Sequence, residues 1–187
     1  MTNPNTSGAP QSPTQLQAPP RPRTRAPELV VDLLDGSRWN LAGRRPENFT
    51  MIVFYRGLHC PVCRDQLAAI RDSSAELESL GVDVIAISAE DEHRTRRVRD
   101  DWDLPALQLG YDLSVQTMRD WGLFVSAASN DNEPAHFSEP AVFLVDAEQE
   151  IYYAALTSMP FGRPGLADLL GGIRFVTRTG YPAGGDR

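Results

Sequence analysis

The feature that most constrains this chain is a change of pattern within fourteen residues: the unbroken run Thr50-Met-Ile-Val-Phe-Tyr55 leads into Cys60-Pro-Val-Cys63. A continuous apolar run of strand length is the pattern of a strand covered on both faces. Pro61 suits the first turn of a helix, where a missing N–H loses no partner. After it, Leu67, Ile70, Leu77 and Leu80 keep spacings of three and four, with Ser74 in the gap, up to Gly81. This pattern predicts one helix from Pro61 to Gly81 with a single apolar face. The two cysteines therefore fall where a buried strand becomes a helix.

The remaining text extends the alternation. Leu29-Val-Val-Asp-Leu-Leu34, Asp35-Gly36 and Arg38-Trp-Asn-Leu41 read as a hairpin, and Val82–Ser88 as a second buried strand. A charged helix follows over about 90–101, then a short edge strand at Leu107–Leu109, a helix over Asp112–Trp121 and a polar loop over Ser126–Ser138. Ala141–Asp146 and Ile151–Leu156 form an antiparallel hairpin, and Arg163–Thr177 a closing helix with Pro164 in its first turn. Strand, helix, strand, helix implies parallel pairing, so the fold class is α/β with a central mixed sheet flanked by helices.

At 187 residues the chain suits one domain. Residues 1–27 hold seven of the fifteen prolines, three arginines and no acid, and are expected to be disordered. The domain is expected over 28–180, with a flexible tail at 181–187. The net charge of −7 disfavours nucleic acid and anionic membrane surfaces as partners, and no apolar stretch approaches the roughly 18 residues of a membrane helix. All 18 basic residues are arginine, which removes lysine Schiff-base and phosphate-loop chemistry.

Two cysteines three apart, with no signal-like leader, point to a cytoplasmic redox pair. At a helix N-terminus, Cys60 meets unpaired N–H groups and the positive end of the helix dipole, which favour the reactive thiolate. Cys63 lies one turn along the same face, within reach of a disulfide. Cys60 is the expected attacker and Cys63 the resolver. Arg56 and Arg64 are candidate cations beside them, and His59 could tune Cys60. His93 and His136 read as surface residues. With no second cysteine pair, a Cu(I) or Zn site is disfavoured, and no cofactor is expected.

A Cys-x-x-Cys at a strand-to-helix junction inside this pattern is the arrangement of thioredoxin-like redox motifs. The segment Phe54-Tyr-Arg-Gly-Leu-His-Cys-Pro-Val-Cys-Arg-Asp-Gln-Leu67 resembles the active site of peroxiredoxin-like proteins of the alkyl hydroperoxide reductase/thiol-specific antioxidant (AhpC/TSA) family. The resemblance extends to Glu139–Asp146 and to Met159-Pro-Phe-Gly-Arg-Pro164. It implies a thioredoxin-like fold with Cys60 at the peroxide-attacking position. Val53 and Gly57 stand where that family usually has Pro and Thr or Ser. Ser138-Glu139-Pro140 stands near where it usually brings an arginine. Pro140 instead resembles the cis-proline that faces the thioredoxin disulfide, which with Arg56 makes it a candidate substrate-binding residue. The expected substrate is a peroxide or, alternatively, a protein disulfide, with an external thiol such as thioredoxin as reductant. A non-enzymatic redox-sensing module is the third reading.

Overall fold

The computed structural model describes residues 18–187, which run β1 (Val30–Leu33), β2 (Arg38–Asn40), β3 (Phe49–Phe54), α1 (Pro61–Asp72), α2 (Ser74–Ser79), β4 (Val82–Ile87), α3 (Glu92–Asp101), β5 (Gln108–Tyr111), α4 (Val115–Asp120), β6 (Val125–Ala127), β7 (His136–Ser138), β8 (Ala141–Val145), β9 (Ile151–Leu156) and α5 (Leu166–Thr179). Seven strands form one mixed sheet in the order β2-β1-β5-β4-β3-β8-β9. The pairs β3/β4 and β4/β5 are parallel, and β1/β2, β1/β5, β3/β8 and β8/β9 antiparallel.

Strand β3 is buried along its whole length because both faces of the sheet are covered. Alternation sends Met51, Val53 and Tyr55 to one core, with Cys60, Cys63, Leu67, Leu170 and Ile173. Ile52 and Phe54 go to the other, where Phe54 packs on Trp121 and Phe143. The first core carries α1 and α5, and with them the cysteines. No helix among the described residues is long and apolar enough to cross a membrane.

Four elements differ from the sequence reading. The expected 61–81 helix breaks at Ser73, whose N–H is shared by the carbonyls of Ala69, Ile70 and Arg71 while α2 restarts at Ser74. The Ser that interrupts the apolar stripe marks the break. Strand β5 is internal, between β1 and β4, because the N-terminal hairpin closes over it. The 126–138 loop carries the small ribbon β6/β7. Helix α5 starts at Leu166 with Gly165 as its cap, so Arg163 and Pro164 precede it.

The folded part also begins ahead of Glu28. Arg23 N–H donates to Ile151 O at 2.8 Å, Ala26 N–H to Gln149 O at 2.8 Å, and Ile151 N–H to Thr24 O at 2.9 Å. A Pro-rich segment can hold this place because its few free N–H groups face the exposed edge of β9. Residues 1–17 of the expected leader lie outside the described residues. At the other end Tyr181 O accepts from the Tyr152 hydroxyl at 2.8 Å, and Asp186 pairs with Arg23 at 3.4 Å.

Candidate active site

Strand β3 ends at Phe54, and five residues, Tyr55 to His59, carry the chain to Cys60, the N-cap of α1. The turn closes with Cys60 N–H on Gly57 O at 3.1 Å. Cys60 Sγ then accepts the Cys63 N–H at 3.3 Å, the capping role usually filled by Ser, Thr or Asp. Both sulfurs are free thiols in the core, 1% and 0% exposed.

The two thiols divide their roles. The Cys63 thiol donates to Cys60, and with the Cys63 N–H, Arg163 and Arg56 it brings the Cys60 thiol down from 9.0 to about 6 against the opposing effect of burial. Burial, then the shared proton and the charge on Cys60, push Cys63 the other way. One proton serves two sulfurs, and Cys60 is the one that gives it up.

The principal cation is Arg163, which the sequence reading did not single out. Its Nη2 lies 3.1 Å from Cys63 Sγ and 3.7 Å from Cys60 Sγ. Nε donates to Pro160 O at 2.9 Å, and Nη1 donates to Gln66 Oε1 on α1. Gly162, at φ +77° with open space around it, turns the chain so that Arg163 points back at the cysteines. The only signal in the sequence was the Pro160-Phe-Gly-Arg-Pro164 text itself.

The two expected cations separate. Arg64 is half exposed and faces Asp65 at 3.4 Å, away from the sulfurs. Arg56 is part-buried, its side chain 17% exposed, with Nε 3.3 Å from Glu139 Oε2, Nη2 3.8 Å from Glu133 Oε1 and its guanidinium 4.8 Å from the Phe137 ring centre. It acts on Cys60 through space while its contacts go to carboxylates. Pro140 lies buried just before β8, its carbonyl accepting the Thr157 N–H at 3.0 Å. The peptide bond before Pro140 is trans, as is every peptide bond among the described residues.

Behind the turn, Glu90 fills the place of the missing hydroxyl. A Cβ on Gly57 would meet Glu90 Oε1 at 2.3 Å, and Gly57 has φ +134°, which L side chains rarely adopt. The Glu90 carboxylate accepts the Leu58 N–H at 2.8 Å and a two-pronged contact from Arg94, 3.1 Å on the Nη2 side. His59 sits between Glu90 at 4.0 Å and Glu133 at 3.7 Å, edge-on to Phe137, with neither ring nitrogen hydrogen-bonded. Burial, helped by Arg56, lowers its pKa, so the imidazole is neutral at neutral pH. His93 and His136 are exposed.

This geometry can form a thiolate and a neighbouring thiol at one helix N-terminus, under one guanidinium. The AhpC/TSA family model matches residues 22–154. Among solved structures, a peroxiredoxin-like protein from Aquifex aeolicus is 20% identical with a TM-score of 0.71, covering 86% of this chain and 90% of that one. Peroxidoxin BcpB from Mycobacterium tuberculosis is 14% identical with a TM-score of 0.70, covering 84% and 98%. AhpC from Enterococcus faecalis is 18% identical with a TM-score of 0.69, covering 87% and 97%. No curated protein matches the sequence. At these identities the structures speak to the fold, and the family match to descent: the chain belongs to the AhpC/TSA family of thiol peroxidases, as a peroxiredoxin-like member with the thioredoxin-like fold.

Proposed function

We propose that this protein reduces a peroxide at Cys60 and that Cys63 resolves the product to an intramolecular disulfide. The observation that carries the reading is the asymmetry of the pair: Cys60 is lowered to about 6 and Cys63 is raised, so at neutral pH one sulfur is a thiolate and its neighbour a thiol. The Cys60 thiolate attacks the terminal peroxide oxygen and the O–O bond breaks. The departing oxygen takes a proton and leaves as water or an alcohol, with Cys60 now a sulfenic acid. Cys63 attacks that sulfur, its proton leaving with the hydroxyl as water, and the disulfide closes. An external thiol, thioredoxin or a small one, returns two electrons and restores the dithiol. Arg56 supports this centre through its charge, and Pro140 by seating the start of β8 rather than by touching a substrate.

A reducing compartment such as the cytoplasm suits this cycle. Disulfide exchange on another protein is the second reading, favoured by the same pair of displaced pKa values. Against it stands the burial of both sulfurs, which suits a small oxidant better than a protein disulfide. The test is peroxide consumption sustained by dithiothreitol, with peptide mapping after one equivalent of peroxide. The expected results are turnover, a Cys60–Cys63 disulfide in wild type and a dimedone-trapped sulfenic acid at Cys60 in Cys63→Ser. Oxidation elsewhere, or none, would overturn the reading.

A further inference from the structure

Cys60 has to be reached by its oxidant, yet it is 1% exposed, and the charged group set against both sulfurs is Arg163. This guanidinium is carried by an unusual piece of chain. Beyond the Thr157 hydroxyl, which donates to Met159 O at 3.0 Å beside the end of β9, residues 158–164 hydrogen-bond to the rest of the fold through Arg163 alone among the described residues: to Gln66, to Cys63 and to Cys60. Its other strong contact, Nε to Pro160 O, stays within the segment. Met159 and Phe161 are 54% and 64% exposed. The segment is thus anchored at Thr157, through Pro140 O, and at the α5 cap, and pinned between them by one side chain.

The two classes of oxidant place different demands on that pin. A peroxide presents two oxygens, small enough to accept an N–H from the same guanidinium while one of them meets Cys60. Thiolate attack on a disulfide requires a sulfur, with its own substituent and a leaving sulfur behind it, to approach Cys60 directly. Arg163 Nη2 already stands 3.7 Å from Cys60 Sγ, within the space such a sulfur would need. The cavity nearest to it, about 230 Å³ and lined by Val53, Val62, Gln66, Val142, Arg163 and Pro164, lies beside the guanidinium and does not include either cysteine.

Resting on the peroxidase reading, we propose that Arg163 determines the oxidant specificity of this site: it admits peroxides to Cys60 and excludes bulky disulfides. It therefore acts in two directions at once. It promotes the peroxide reaction through its charge and its donor, and it obstructs the disulfide reaction through its position.

The experiment compares the reduced full-length protein with Arg163→Ala, Arg163→Lys and Gln66→Ala. Each is reacted with hydrogen peroxide and with the neutral aromatic disulfide 4,4′-dithiodipyridine at about pH 8, and each rate is divided by the thiolate fraction read from absorbance near 240 nm. For Arg163→Ala the expected result is a fall of about tenfold with peroxide and a rise of about tenfold with the disulfide, the size of losing one charge-assisted hydrogen bond. Gln66→Ala, which frees the guanidinium without removing it, is expected to lower the peroxide rate and raise the disulfide rate by smaller factors, and Arg163→Lys to fall between wild type and Arg163→Ala. Parallel falls in both rates, or an unchanged disulfide rate, would overturn the proposal. If Arg163→Ala loses its circular dichroism signal, Gln66→Ala decides. A wild type that meets peroxide only at a free-thiol rate sinks the peroxidase reading, whereas the disulfide arm still judges the obstruction.

Discussion

Arg163 Nη2 lies 3.1 Å from Cys63 Sγ, across one hundred residues of sequence, and 3.7 Å from Cys60 Sγ. The chain thus draws the cation for its thiolate from the segment after β9. The residues just before β8, near where the family usually has one, are Glu139 and Pro140. The consequence is a measurable titration. Because the Cys60 pKa is lowered, the thiolate is present above about pH 6 and lost as pH falls through that value. Thiolate absorbance and peroxide reactivity should therefore rise together through about pH 6 and level off by neutrality. Arg163→Ala should move the midpoint upward. Arg64→Ala should leave it in place, because that side chain faces Asp65 in solvent.

Gly57 and Glu90 form a matched pair. In Gly57→Ala a Cβ would lie 2.3 Å from Glu90 Oε1, on a backbone at φ +134°. The expected loss is about 3 kcal/mol, from backbone strain together with the displaced carboxylate. Glu90→Ala should lose about 3 kcal/mol as well, since it strips the partners from Leu58 N–H and from the part-buried Arg94. Urea unfolding of the two single variants and the double variant measures both losses. The double variant should fall short of their sum by about 1 kcal/mol, because truncating Glu90 removes the clash but not the strain.

Much of this arrangement was legible in the sequence because it is local. The run Thr50–Tyr55 reads as a doubly covered strand, and β3 is buried throughout. Cys60-Pro-Val-Cys63 reads as a helix start, and Cys60 is the cap of α1. What could not be read depends on pairings distant in sequence. Arg163 reaches the sulfurs only because α5 packs beside α1, and no periodicity in Pro160–Pro164 announces that. Glu90 reaches Gly57 only because β3 and β4 run parallel in a register that pairs Phe54 with Ile87. Arg56 and Arg64 looked equivalent by distance along the chain; the turn after β3 part-buries the first and the face of α1 exposes the second. The residues before Glu28 read as leader from composition alone, yet the free edge of β9 gives part of that segment backbone partners.

Forming the disulfide removes the anion that Arg163 faces. The segment 158–164 then keeps Gln66 as its one partner beyond the neighbouring Thr157 among the described residues, so its amides should exchange hydrogen faster in the oxidised protein than in the reduced one. Deuterium uptake followed by mass spectrometry checks this. The difference should be confined to that segment and to the first turn of α1, and absent from Cys60→Ser.

The oxidised state also has to be reopened by a thiol that reaches a buried bond. Reduction by dithiothreitol should therefore be faster in Gln66→Ala, where the guanidinium is less firmly held over the pair. Stopped-flow tryptophan fluorescence can follow the reaction, since Trp102 packs on Tyr55 next to this site.

The claim that Cys60 is the nucleophile and Cys63 its resolver is tested most directly by the second-order rate at which the reduced protein loses thiols to hydrogen peroxide, measured beside Cys60→Ser and Cys63→Ser. The account predicts that wild type and Cys63→Ser react orders of magnitude faster than a free thiol, that Cys60→Ser does not, and that only wild type forms the intramolecular disulfide. Free-thiol rates in all three proteins, or a fast Cys60→Ser beside a slow Cys63→Ser, would contradict it.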